Sequence, residues 1–273
     1  MLTGTAYLVM WAGALAYAFH ATSQSRGAGW AGTIATIAAW ALLTAELVLR
    51  GLAAGHSPMT NRYEFALWFT WAILAAYLLL EIRWKERRGG AFVLLIALMI
   101  TTFAVTRPAS ERALGPLPPV LRSSWLQRHV FAATLGYGAF GVAAGLGVMR
   151  LVRGDSPNMS PAEADWLPPA DEINRAIQWA VGAGFPCLSL AILTGAIWAQ
   201  RAWGRYWGWD PKETWALVTW LWYLMLLHLR AMPRWRERRI AALVIIGFGL
   251  VLFTYVGVPW LARTVRLPTL HGY

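Results

Sequence analysis

The stretch WGWDPKETWALVTWLWYLMLLHLR, residues 207–230, joins a complete helix start to an apolar run that ends on basic side chains. Asp210 is a good N-cap, Pro211 suits the first helical position, and Glu213, three residues after the cap, completes a capping box. Both acids are also favoured by the positive end of the helix dipole. The stretch therefore predicts a helix beginning at Pro211 and continuing to Arg230. A run of about 20 apolar residues is what a helix needs to cross the hydrocarbon core of a bilayer.

The same pattern recurs outward from this stretch in both directions. Apolar runs fall at about 5–22, 30–49, 64–83, 91–107, 127–150, 174–200, 211–230 and 239–261, the fourth being the shortest. The chain is 58% hydrophobic and 14% charged over 273 residues, against about 25% charge in a soluble domain. These readings predict an all-α integral membrane protein, a polytopic bundle of about eight transmembrane helices forming a single membrane domain over residues 1–273. The N-terminus MLTGTAYLVMWAG lacks a basic segment ahead of its apolar run, so the first run is expected to be a retained helix. Gly136, Gly138, Gly141, Gly145 and Gly147 line the fifth run, with a G-x-x-x-G at 141–145, and predict close helix packing.

Basic clusters set the expected orientation. RWKERR at 83–88 and RAMPRWRERR at 230–239 flank short loops and belong in the cytoplasm by the positive-inside rule. Both termini then face the extracytoplasmic side, with the outer loop 108–126 and the tryptophan loop at about 201–215. The Pro-rich, acidic segment 154–172 is an inner loop. The net charge of +11 lies at the ends of apolar runs rather than on a solvated stripe, which excludes nucleic-acid binding. The lone Cys187 excludes an intrachain disulfide and a Cys-x-x-Cys redox or haem-attachment motif. Glu46 and Arg50 stand one helical turn apart and are expected to pair.

The tryptophan loop admits two readings. Trp203, Tyr206, Trp207 and Trp209 stand within seven positions, and any one of them is accounted for by an aromatic belt at the membrane interface. Their density, with Gly204 and Gly208 leaving the backbone open, also fits a platform for a flat ligand. Arg201, Arg205 and Lys212 beside them would suit carboxylates on that ligand, as haem carries; a quinone fits in part. The histidines lie at two depths. His129 and His271 fall on the outer side with the tryptophans, and two imidazoles there would supply both axial positions of a haem iron. His228 lies roughly 26 Å along the helix from Pro211. An ionisable residue in a membrane helix is a functional candidate, with an interfacial histidine as the alternative. His20 and His56 read as structural.

WGRYWGWDPKETWALVTWLWYLMLLHLR, residues 203–230, resembles the tryptophan-rich WWD signature of the CcsA (ResC) family of system II cytochrome c biogenesis. GHSPMTNRYE (55–64), SSWLQRHVFAATLGYGAF (123–140), GFPCLSLAILTGAIWAQRAWG (184–204) and the closing LHGY fall in family order. The resemblance thus runs from about residue 55 to the C-terminus, the first two runs matching only in being apolar. It implies haem handling, with haem b held at an external WWD site by His129 and His271 among Trp203, Tyr206, Trp207, Trp209, Asp210, Arg201 and Arg205. Asp210 reads first as the helix cap. His228 matches the family's transmembrane histidine, whose counterpart lies on the membrane partner CcsB (ResB). The haem is then attached by thioether bonds to the Cys-x-x-Cys-His motif of an apocytochrome c, which makes the chain the haem-binding component of a haem-lyase complex. The expected location is the bacterial cytoplasmic membrane or a thylakoid membrane. An electron-transfer b-type haem anchor and a small-solute transporter are the competing classes. The first would carry histidine pairs at both depths within the bundle, the second paired broken helices.

Overall fold

The computed structural model describes residues 2–114, 117–154, 166–232 and 237–265. Eight helices carry the described chain: α1 Leu2–Ser23, α2 Arg26–Ala54, α3 Arg62–Trp84, α4 Gly90–Val105, α5 Ser124–Arg153, α6 Ala170–Trp203, α7 Pro211–Arg230, and α8 Glu237–Leu252, which runs through a π-turn at Phe253–Gly257 and continues as Val258–Val265. No strand occurs among the described residues. Six of the helices are long and apolar enough to cross a membrane; α4, at 16 residues, is shorter, and α7 falls outside the six. The protein is a helical membrane protein.

Helix starts follow local chemistry. Ser25, Asn61 and Ser123 accept hydrogen bonds from the first turns of α2, α3 and α5, satisfying backbone donors that have no intrahelical partner. At α7, Asp210 accepts from the Lys212 amide at 2.9 Å and Glu213 accepts from the Asp210 amide at 3.2 Å, so the expected capping box is formed with Pro211 at the first position. The loop expected outside, 108–126, holds a single helical turn at Ala109–Arg112 and a 3-10 turn at Pro119–Leu121. Helix α6 starts at Ala170, inside the segment expected as the inner loop, and runs unbroken through Pro186. Most of the remaining inner loop, 155–165, lies outside the described residues.

Helix α5 is the hub. It packs along α6 and against α3, α4 and α8, while α1 and α2 pair beside α4. Its apolar stretch is 83% buried, so each face must fit a different neighbour. The glycines do this: a Cβ on Gly138 would come within 2.7 Å of the Ala72 backbone, and one on Gly145 within 2.9 Å of Val93 Cα. Small residues at these crossings let backbones approach, and dispersion contacts replace the hydrophobic drive that lipid does not supply.

One expected pairing is replaced. Arg50 bonds Glu64 at 3.0 Å and the Arg112 carbonyl at 3.0 Å instead of pairing with Glu46. The Glu64 side chain is only 1% exposed, and a buried carboxylate requires a cation and hydrogen bonds. The Thr60 amide and hydroxyl supply two more, both at 2.9 Å.

Candidate functional site

The N-terminal ends of α3, α5 and α7 meet the C-terminal parts of α6 and α8 around one cavity. Its wall carries His129, the aromatic residues Phe65, Tyr137, Tyr206, Trp207 and Tyr255, and the cations Arg62 and Lys212, over an apolar floor that includes Leu188 and Ile192.

His129 is held from α6. Its Nδ1 lies 2.7 Å from the Ala191 carbonyl oxygen, which selects the tautomer with the proton on Nδ1 and makes Nε2 the basic nitrogen. A carbonyl partner on one ring nitrogen is the usual way a protein orients an imidazole for metal ligation. Gly195 makes this fit possible: a Cβ there would stand 2.6 Å from His129 Nδ1. Trp198, 2% exposed, stacks on His129 with planes 16° apart and meets Trp203 edge-on at 4.8 Å. The Trp198 indole donates to the Val120 carbonyl at 3.2 Å, tying α6 to the loop that precedes α5.

The tryptophan loop is fastened by Glu213. Besides closing the cap, its Oε2 accepts from the Gly208 amide at 2.8 Å. Gly204 ends α6 with φ 73°, the left-handed conformation glycine adopts without strain. Trp209 also takes a left-handed φ of 56°, a strained state for a bulky residue.

The expected site residues divide. His129, Tyr206, Trp207 and Lys212 line the cavity. Trp203 packs behind the wall with Leu121, Leu126, Val130 and Trp198. Trp209 is 69% exposed, lies outside the cavity and meets Trp207 edge-on at 5.7 Å. Asp210 is buried as the helix cap. Arg201 and Arg128 both lie over the Trp125 ring, at 5.5 and 4.6 Å, and Arg205 rests against Gly208; neither Arg201 nor Arg205 lines the cavity. His228 is exposed near the far end of α7, its Nδ1 2.8 Å from the Leu224 carbonyl. His271 lies outside the described residues.

Several cavity residues escape the sequence reading, among them Arg62, Gly195 and Trp198. Arg62 follows the α3 cap within GHSPMTNRYE, and the other two sit within GFPCLSLAILTGAIWAQRAWG. All three were in view as motif members, but nothing local signals which face they turn inward.

The fold and cavity define a polytopic helical membrane protein with an aromatic, cation-bearing chamber at one end. The profile of the cytochrome C assembly protein family matches residues 59–266. Cytochrome c biogenesis protein CcsA of Trieres chinensis is 34% identical, covering 89% of this chain and 86% of its own length. The CcsA protein of Microcystis aeruginosa is 33% identical over 97% of this chain and 92% of its own, so the likeness reaches into α1 and α2, beyond the motif-bearing region. The chain therefore belongs to the CcsA family, and its role is in cytochrome c biogenesis. Among solved structures, the cytochrome c heme lyase CcmF shares the fold with a TM-score of 0.65 at 15% identity. The likeness covers 93% of this chain and 45% of the CcmF chain, so this chain spans less than half of that protein.

Proposed function

We propose that the cavity beside the tryptophan loop is an external haem b site, from which haem is presented to an apocytochrome c for thioether attachment at Cys-x-x-Cys-His. The observation that carries this reading is His129, oriented by the Ala191 carbonyl and set in the wall of an aromatic cavity. Family membership and the lyase fold support it.

The residues fit the group. Among the described residues, no cluster of three or more His, Cys, Asp or Glu side chains suits a bare metal ion. A single well-oriented imidazole suits an iron whose equatorial positions a porphyrin already fills. Haem, when bound, supplies that iron and the vinyl groups to which cysteine thiols add.

The chain's own residues do the rest. His129 would hold the haem iron through Nε2, and His271, by its match to the family, would supply the second imidazole. Trp207 and Tyr206 cover a macrocycle face, and Phe65, Tyr137 and Tyr255 close the apolar side. Lys212, expected for the propionates together with Arg201 and Arg205, offers them charge, and Arg62 takes the place of those two arginines in the cavity wall. Glu213 holds the loop in place through Gly208 and Asp210. Fixing the haem beside incoming cysteines converts an encounter between two molecules into a step within one complex.

His228 belongs to a second, inner haem position completed by a histidine of a CcsB (ResB) partner. The chain acts as a single membrane domain in a bacterial cytoplasmic or thylakoid membrane, with the tryptophan loop extracytoplasmic. The protein purified with its partner is expected to show a bis-histidine haem absorption spectrum. His129→Ala and His271→Ala are expected to lose or shift that spectrum and abolish cytochrome c maturation. Normal maturation in both variants would remove the external-ligand assignment. Unchanged haem loading in His228→Ala would remove the inner one.

A further inference from the structure

A second pocket at the same end of the bundle is not accounted for by the haem reading. It is lined by Arg62 at the start of α3, Phe103 near the end of α4, Arg107 just beyond it, and Val256, Gly257, Trp260 and Arg263 from the π-turn and end of α8. Three arginines thus line one hollow. The carboxylate nearest them is Glu111, 3.9 Å from Arg107 Nη1 and 42% exposed. Among the described residues no carboxylate lies within salt-bridge distance of Arg62 or Arg263.

Arg107 adds an independent observation. Its guanidinium lies 4.3 Å over the Phe103 ring, and its Nε is buried with no hydrogen-bond partner among the described residues. A buried donor left without an acceptor is unfavourable, and Arg107 is part of this pocket's lining. The rest of its lining is apolar. Phe103 stands near the end of α4 and the 62%-exposed Trp260 near the end of α8, and aromatic side chains at helix ends commonly meet headgroups.

We propose that this pocket binds the phosphate of an anionic phospholipid. Guanidinium forks match phosphate oxygens bidentately, and the apolar lining receives the glycerol and upper acyl carbons. Free phosphate would satisfy the arginines but leave Phe103, Val256 and Trp260 without a use, which favours the lipid. Arg107 and Arg263 belong to this pocket and not to the haem cavity, whereas Arg62 borders both.

The test is native mass spectrometry of the full chain in detergent supplemented with phosphatidylglycerol or phosphatidylcholine. One phosphatidylglycerol is expected to survive conditions that strip phosphatidylcholine. Its retention should fall at least about tenfold in Arg107→Gln/Arg263→Gln, as the loss of charge-assisted hydrogen bonds implies. Where that variant does not fold, Arg107→Lys/Arg263→Lys keeps the charge but loses the forks, and a smaller drop is expected. In vesicles of brominated phosphatidylglycerol, Trp260→Phe should remove part of the tryptophan quenching seen in the wild type. Equal retention of the two lipids, undiminished phosphatidylglycerol in the arginine variants, or displacement of the lipid by excess inorganic phosphate would each overturn the proposal.

Discussion

At the residue scale, small groups around His129 matter as much as the imidazole itself. Gly195 leaves the space in which Nδ1 reaches the Ala191 carbonyl. Gly195→Ala is therefore expected to displace the ring, shifting the haem absorption spectrum and lowering maturation while the helix itself remains intact. An unshifted spectrum would show that the ring is not held this way. Trp209 presents the opposite case. Its left-handed backbone stores about 1–3 kcal/mol of strain to hold an exposed indole outside the cavity. Trp209→Gly should leave thermal stability at or above that of the wild type yet reduce maturation, measured by haem staining of c-type cytochromes. A stability loss would mean that the indole supports the fold instead. Glu213 joins the cap of α7 to the tryptophan loop through the Gly208 amide. The same side chain that starts the helix thus fixes the loop that borders the cavity.

At the element scale, α5 shows how a glycine-lined helix serves as a hub. Gly138 faces the Ala72 backbone at a separation that admits no side chain. Gly138→Val is expected to destabilise the bundle by about 1–3 kcal/mol through overpacking, read as a lower unfolding temperature in detergent. Gly182, with nothing within 4 Å of its Cβ position, supplies the control: Gly182→Ala should be neutral or slightly stabilising. Equal effects at both sites would argue against close approach as the reason for the α5 glycines. Helix α7 is the contrasting element. It buries only Thr219, Tyr223 and Leu226, leaving an apolar face and His228 turned away from the chain's own core. In a bilayer such an apolar face meets lipid tails or another helix.

At the scale of the whole molecule, the cavity exists because five helix ends converge at one end of the bundle. The basic turn after α3 lies at the opposite end of that helix from Arg62, and the positive-inside rule would place that turn in the cytoplasm. Single-cysteine labelling on a Cys187→Ser background tests this. An impermeant maleimide should label Tyr206→Cys in intact cells, and Lys85→Cys only after the membrane is disrupted. The reverse pattern would invert the orientation and with it the external assignment of the haem site.

What the amino-acid sequence determined alone is what depends on near neighbours. Hydropathy over about 20 residues sets a span, and Asp210, Pro211 and Glu213 set a helix start, because capping groups act within one turn. The helix positions, the cap of α7 and the family were legible for that reason. Tertiary structure decided which side chains meet. His129 and Ala191 stand 62 positions apart, and no local pattern encodes their contact. Arg50 chose Glu64 over Glu46 because Glu64 is buried. Arg62 rather than Arg201 or Arg205 lines the cavity because α3 begins at its rim, whereas Arg201 turns to the Trp125 ring on α5. Trp209, adjacent in sequence to the cavity, is turned out of it by its own backbone. Direction and long-range contact follow from packing, and packing is a property of the folded bundle.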